Sequence, residues 1–451
     1  MNGILKEYEK KDEEKDMEQK QGSSFVTEIV KERPVNKKKL FRRTISTVVF
    51  AIVFGLIACL TFFFMEPIIN HMLNPEEITK VQFPEEKQEL KPEELLTEET
   101  MAQQEESLQE VVEAAKEVVQ SGQTPNASIE EYEKTYSQLQ ALAKNASKSI
   151  VTVIGISEQQ DWFAGTTENQ NTTAGLIVAE NGVELLILAD AKNLKNAREY
   201  HVRFSDKQTI AAQMKERDTQ TGLAVYAVKL SEVPKETEKE AMAIAALGSS
   251  VSEGIVGSPA ITIGAPYGTV GSLSYGMITS NGKKLNLADA VYNLILTDMS
   301  KTSNASGVVI NMQGEVIGFV TQSADEISDS DTISALGISD IKTLIAKLSN
   351  DEKRAYIGIK GMDVTEEAHS ETGVPYGVYV TEVLMDSPAM AAGIQNGDVI
   401  VAVSGNKVTS FREFRAGIFS LQPEMITEVT LMRFNGTEYN EIKIEIVTGE
   451  A

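Results

Sequence analysis

The 451-residue chain is short of cysteine, of histidine and of positive charge. Its one cysteine, Cys59, sits in an apolar run, so no intrachain disulfide forms and neither a cysteine-rich metal site nor a thiol catalyst is expected. Its 66 acidic residues outnumber 42 lysines and arginines, a net charge of −24 at pH 7. Phosphate binding needs clustered Lys and Arg, so nucleic acid is excluded as a partner. The three histidines are His71, His201 and His369. No metal or cofactor pattern is present.

Against these scarcities stands one long hydrophobic run. Thr44 to Met65, TISTVVFAIVFGLIACLTFFFM, carries 22 residues without a charge, enough to cross a hydrocarbon core of ~30 Å at 1.5 Å per residue. Lys37, Lys38, Lys39, Arg42 and Arg43 precede it, and Glu66, Glu76 and Glu77 follow. The positive-inside rule then leaves the N-terminus in the cytoplasm and the bulk outside the cell membrane, as a single-pass protein. A cleaved signal peptide is disfavoured, because the leading region is too long and no small-x-small site follows.

Residues 1–43 read as a disordered cytoplasmic tail, charged and without apolar periodicity. Residues 66–140 read as an acidic helical linker, with Met101, Leu108, Val111, Ala115 and Val118 at a and d spacing. SGQTPNAS at 121–128 breaks the helix. Beyond Asn145 the texture becomes short β-branched runs between polar turns: SIVTVIGI, AGLIVA, ELLILAD, YHVRF, LAVYAVKL, SPAITIG, GSLSYGMITS, VYNLILTDM, GVVIN and EVIGFVT. So many short strands with glycine-marked turns predict β-barrels, over 141–350. A second unit over 354–449 has strands at YIGI, GVYVTEV and DVIVAVSG and a helix opened by the capping box from Ser410 to Glu413.

The order of AGLIV, TGLAVYAVKL, AALGSS, ITIGAPYG, SLSYGMITSNG, LTD and SNASGVVINMQGEVIGF resembles the protease domain of the HtrA/DegP family. SPAMAAGIQNGDVI at 387–400 is similar to that family's PDZ domain. The resemblance implies a mainly β protein, a chymotrypsin-like double β-barrel and a C-terminal PDZ domain of α+β type, following the N-terminal transmembrane helix read from the apolar run. It also implies a trimer, and a Ser–His–Asp triad in which histidine takes the serine proton and aspartate orients the histidine.

On that pattern LADAKNL puts Lys192 at the histidine position, and GLAVYAVK puts Gly222 at the aspartate. SNASGVVIN puts Ala305 at the nucleophile and Ser303 at the glycine whose backbone helps form the oxyanion hole. A one-residue shift would put Ser306 at the nucleophile, the spacing from Thr297-Asp298 allowing a gap. His71 follows the apolar run, His369 lies in the PDZ-like unit, and His201 alternates away from Tyr200, Val202 and Phe204 as a surface residue. No histidine is left for a triad. Asp190 and Asp218 read as turn residues. A Ser306/Lys192 dyad is the remaining catalytic alternative.

In the PDZ-like unit, Arg354-Ala355-Tyr356-Ile357-Gly358-Ile359 resembles the family's carboxylate-binding loop. Its N–H groups would bind a terminal carboxylate while the next strand pairs with the peptide. Arg354 would add attraction, and Phe414 and Ile418 would line the groove or fill the core. The expectation is an extracytoplasmic, membrane-anchored pseudoprotease that binds peptide C-termini or extended segments as a scaffold in envelope protein quality control. The alternatives are an active Ser–Lys endopeptidase and a purely structural envelope protein with a closed PDZ groove.

Overall fold

The computed structural model describes residues 41, 45–57, 61, 79–84, 129–161, 165–194, 196–324 and 331–451. Apart from Phe41, the tail, and all of the 101–118 heptads, lie outside the described residues. The predicted span 44–65 is described at 45–57 and Thr61, as a helix whose apolar side chains, Phe50 and Phe54 among them, are exposed. Among the described residues no helix is long and apolar enough to cross a membrane.

Helix α1 (Ile129–Ala146) runs through residue 140. Leu139, Leu142, Ala143 and Ala146, spaced i, i+3, i+4 and i+7, join the barrel core. Six strands follow: β1 (Ile150–Asp161), β2 (Gly165–Glu180), β3 (Glu184–Asp190), β4 (Glu199–Arg203), β5 (Thr209–Arg217) and β6 (Leu223–Lys229). They close into a barrel of order β1-β2-β3-β6-β5-β4. A second barrel, β10-β11-β12-β9-β8-β7, is built from β7 (Pro259–Ala265), β8 (Ser272–Leu287), β9 (Ala290–Ser300), β10 (Ser306–Ile310), β11 (Val316–Val320) and β12 (Thr332–Gly337). Strands β5 and β12 were not legible as apolar runs. The first alternates polar with half-buried residues, and the second is the short sequence TISALG.

Strand alternation divides the core. On β3, Leu185, Ile187 and Ala189 face the inside of the first barrel, while Leu186 and Leu188 face the second barrel. Each buried leucine contributes about 2 kcal/mol of transfer free energy. Helix α2 (Ile338–Ser349) adds Ile338, Ile341, Leu344, Ile345 and Leu348 to the layer between the barrels.

The C-terminal unit begins with β13 (Ala355–Tyr356), paired with the terminal β20 (Gly449–Glu450). Its sheet runs β14 (Ile359–Asp363), β15 (Val378–Val383), β16 (Val399–Val403), β18 (Ile426–Phe434), β19 (Tyr439–Val447), with β17 (Asn406–Lys407) beside β16. Helix α3 (Pro388–Ala392) is capped by Ser387 and ended by Gly393 at φ 86°. Helix α4 (Phe411–Phe419) starts at Ser410, whose hydroxyl accepts from Glu413 N–H. Glu413 completes the cap one residue early, accepting from the Thr409 N–H at 2.7 Å and hydroxyl at 2.8 Å.

Candidate functional site

Strand β3 ends at Asp190 and passes into a short 3-10 turn, Ala191–Leu194, that carries Lys192. Gly222 lies just before β6 at φ 78°, its N–H donating to Asp218 O and its carbonyl accepting from Ala191 N–H at 2.8 Å. A Cβ there would lie 3.0 Å from Lys192 Cγ and 3.1 Å from Asp190 Oδ1. The lysine stem therefore fills the space a side chain at 222 would enter, and the left-handed backbone favours glycine. Asp190 is buried and accepts from Lys192 N–H at 2.9 Å and Gln322 N–H at 2.8 Å. The Gln322 amide bonds Asn193, which reaches the Thr173 hydroxyl. Asp190 thus holds its local turn and also ties it to the second barrel.

Ala305 is fully buried among Met299, Val309, Ile317 and Val320, and its N–H donates to Thr302 O at 3.0 Å. Ser306 is the first residue of β10, opposite Ala265. Its side chain is buried, and its oxygen accepts a 3.0 Å bond from Ala174 N–H of β2. Gly307, at φ 127°, lets β10 approach β7 so closely that any Cβ would collide with the Ile263 carbonyl. Ser306 is therefore a bridge between barrels, a place unlike that of the nucleophile it would be after the one-residue shift.

His201 differs from its expectation. It is half-buried, and its Nδ1 is sealed with no partner among the described residues. β4 lies between β1 and β5 in a closed barrel, so its outward face is partly covered. His369 Nδ1 lies 2.7 Å from Val374 O and its ring stacks on Tyr376. His71 is outside the described residues.

The carboxylate-loop segment is intact in backbone but not vacant. The N–H groups of Ile357 and Gly358 donate to Asp289 Oδ2 at 2.6 and 2.9 Å, and that of Ile359 to Asp289 Oδ1 at 3.0 Å. Asp289 sits at the tip of the β8–β9 hairpin at φ 57°. Its own N–H donates to Ile359 O at 2.8 Å. Burial pushes its carboxyl above the ordinary range, against the pull of the three N–H donors and Arg354. Tyr356 half-buries against Gly449 in the β13–β20 pair.

Two expected peptide contacts are corrected. Arg354 is buried and not open to a ligand. Its Nε donates to Asp218 Oδ1 at 2.8 Å, its Nη1 approaches Ala288 O, and its guanidinium lies over the Phe419 ring. Ile418, like Phe414, is fully buried in the PDZ core, because i, i+4 spacing on α4 faces the sheet. Sequence reasoning missed Asp289 altogether, and took Asp218 for a turn residue alone. The only signal for Asp289 was an aspartate in a two-residue turn between strand-like runs.

Two closed antiparallel barrels, joined by the Gln322–Asp190 and Ala174–Ser306 hydrogen bonds, and a following PDZ-type sheet define a trypsin-like peptidase fold with an appended PDZ domain. A trypsin-like peptidase domain model matches residues 173–319 and a PDZ domain model residues 355–446. A probable periplasmic serine endoprotease DegP-like of Hahella chejuensis is 29% identical over 54% of this chain and 50% of its own length. The serine protease Do-like HtrA of Lactococcus lactis is 26% identical over 68% of this chain and 82% of its own. The chain thus spans about half of the first relative and most of the second. A solved HtrA-type protease AlgW with decapeptide aligns over 68% of this chain and 98% of its own at 19% identity and TM-score 0.48. The chain thus carries a trypsin-like peptidase domain followed by a PDZ domain, and the relatives it resembles are HtrA-type serine proteases.

Proposed function

We propose that this protein is a pseudoprotease: an HtrA-type scaffold, anchored by its N-terminal apolar span with its bulk outside the cytoplasm, whose PDZ domain takes peptide C-termini or extended segments in envelope protein quality control. The observation that carries the loss of catalysis is Ala305, fully buried with its N–H tied to Thr302 O. Acyl transfer needs a hydroxyl at that point and an unspent N–H to hold the oxyanion. Position 305 offers neither.

The neighbouring positions support the same reading. Lys192 lies where the family has histidine, and a side chain at Gly222, held at φ 78°, would press on Lys192 and Asp190. The dyad alternative asks Ser306 to be nucleophilic, yet its oxygen is sealed and accepting from Ala174 N–H. The relatives are named as proteases, so the reading is tested directly. The full chain should leave unfolded casein intact and take no label from a fluorophosphonate probe. Cleavage that disappears in Ser306→Ala would establish the dyad instead.

The uncharged stretch at 44–65, the preceding basic cluster and the exposed apolar helix at 45–57 support anchoring. Extraction of the chain by alkaline carbonate, or protection of its C-terminus from protease added outside the cell, would overturn that part of the proposal. A trimer, the family's arrangement, is the expected assembly, and sedimentation of the purified chain measures it.

A further inference from the structure

We propose that the PDZ carboxylate site is held closed by the protein's own Asp289, so that a peptide C-terminus binds only by displacing the β8–β9 hairpin. This rests on the reading of the PDZ domain as a binder of C-termini, and specifies how that site is regulated.

The internal segment matches a bound peptide at three points. First, the Asp289 carboxylate receives all three successive N–H groups of Ile357, Gly358 and Ile359. Such a row of donors satisfies one carboxylate and leaves no donor for a second. Gly358, at φ 89°, turns the loop so that its N–H points the same way as its neighbours'. Second, Asp289 N–H bonds Ile359 O, and the Asn286 side chain bonds Gly361 O, so the hairpin tip spends acceptors along β14. β14 is the end strand of its sheet, the edge an incoming strand would join. Third, Val291 packs its side chain against the PDZ core cluster. A carboxylate, an edge-strand contact and an apolar side chain are the elements a C-terminal peptide brings.

The hairpin is also fastened. Arg415 of α4 donates to Val291 O at 3.1 Å, and Arg354 approaches Ala288 O while pairing with Asp218. Release therefore exchanges one set of contacts for another of the same chemistry. An external peptide sees only the open fraction, and its apparent affinity falls by that fraction.

The test uses the full chain, as wild type, Asp289→Asn and Asp289→Ala, and fluorescein-labelled random decapeptides ending in valine with a free or an amidated C-terminus. The expected result is a gain in affinity of about tenfold or more for the free-carboxylate peptides in both variants, with the amidated peptides weak throughout. Hydrogen exchange over 355–362 should accelerate in the variants. In wild type, saturating free-carboxylate peptide should accelerate exchange over 284–292, a readout that does not depend on how well a variant folds. Equal affinity in wild type and variants, with no change over 284–292, would overturn self-occupancy while leaving C-terminus recognition standing. No binding to any form, although exchange shows the loop freed in the variants, would overturn recognition itself and the competition with it.

Discussion

Arg354 Nε donates a 2.8 Å hydrogen bond to Asp218 Oδ1, and both side chains are almost sealed from solvent, at 2% and 0% exposure. The pair joins the residue that opens the PDZ unit to the β5–β6 turn, four residues before Gly222 in sequence. It therefore sits between the Lys192–Gly222 turns and the Asp289 contact. Removing one member of a buried pair strands the other charge, at a cost of about 3–5 kcal/mol. Arg354→Met and Asp218→Asn are each expected to destabilise by this order. The double variant should lose less than the sum, because neither charge is then left alone. Urea unfolding measures all three, and strict additivity would show that the pair is not a coupled unit.

On the pseudoprotease proposal, a serine placed at position 305 should not produce catalysis. In Ala305→Ser a hydroxyl enters a site lined by Met299, Val309 and Ile317, a burial that costs about 1–3 kcal/mol without a partner. The expected protein is less stable and still unlabelled by fluorophosphonate. Adding Lys192→His and Gly222→Asp should not rescue it, because residue 222 holds φ 78° beside Asp190. Burst labelling of the triple variant would show that the cleft had kept a working shape.

Ser306→Ala is expected to act on stability. Its hydroxyl satisfies the buried Ala174 N–H across 132 residues of sequence, and an unpaired buried donor costs about 1–3 kcal/mol. Thermal unfolding should show this loss, whereas an unchanged midpoint would mean that the bond contributes nothing.

Gly307→Ala should be more damaging than Ser306→Ala. The added methyl meets the Ile263 carbonyl at φ 127°, where both space and backbone exclude it. A loss of more than about 3 kcal/mol follows from strain at such a position. Soluble, natively folded Gly307→Ala with near wild-type melting would contradict the close β7–β10 approach.

The cap of α4 gives a pH dependence. Thr409 N–H and hydroxyl hold the Glu413 carboxyl below its ordinary range. The folded value is depressed, so the contribution is present above the ordinary glutamate range, about 4.3, and lost as pH falls through the folded value. The group is exposed and screened, so Glu413→Gln should cost only about 0.5 kcal/mol at neutral pH. Stability curves of the two proteins should converge in acid. A gap that persisted there would place the effect in packing rather than charge.

Much of the barrel architecture was legible because it follows from local chemistry. Ten strands showed as apolar runs between turns, since a β-strand in a closed barrel must alternate or bury its side chains whatever its partners. β5 escaped because its outward residues are polar and charged, TIAAQMKER, and only its pairing with β4 and β6 makes it a strand. The residue types at 192, 222 and 305 are read directly from the sequence, and their assignment to triad positions rests on the resemblance alone.

The contents of the PDZ site were not legible in that way. Residue type alone determined that Ser410 caps a helix and that position 305 has no hydroxyl, and the resemblance pointed to the segment from Arg354 to Ile359 as a source of N–H donors. Only the tertiary structure decided that Asp289, 68 residues before Ile357, meets those donors, and that Arg354 turns inward to Asp218. Hydrogen bonds and ion pairs fall off within a few ångströms and are indifferent to separation along the chain. Periodicity reveals which face of an element is buried, but the partner of a buried polar group is chosen by the path of the whole backbone.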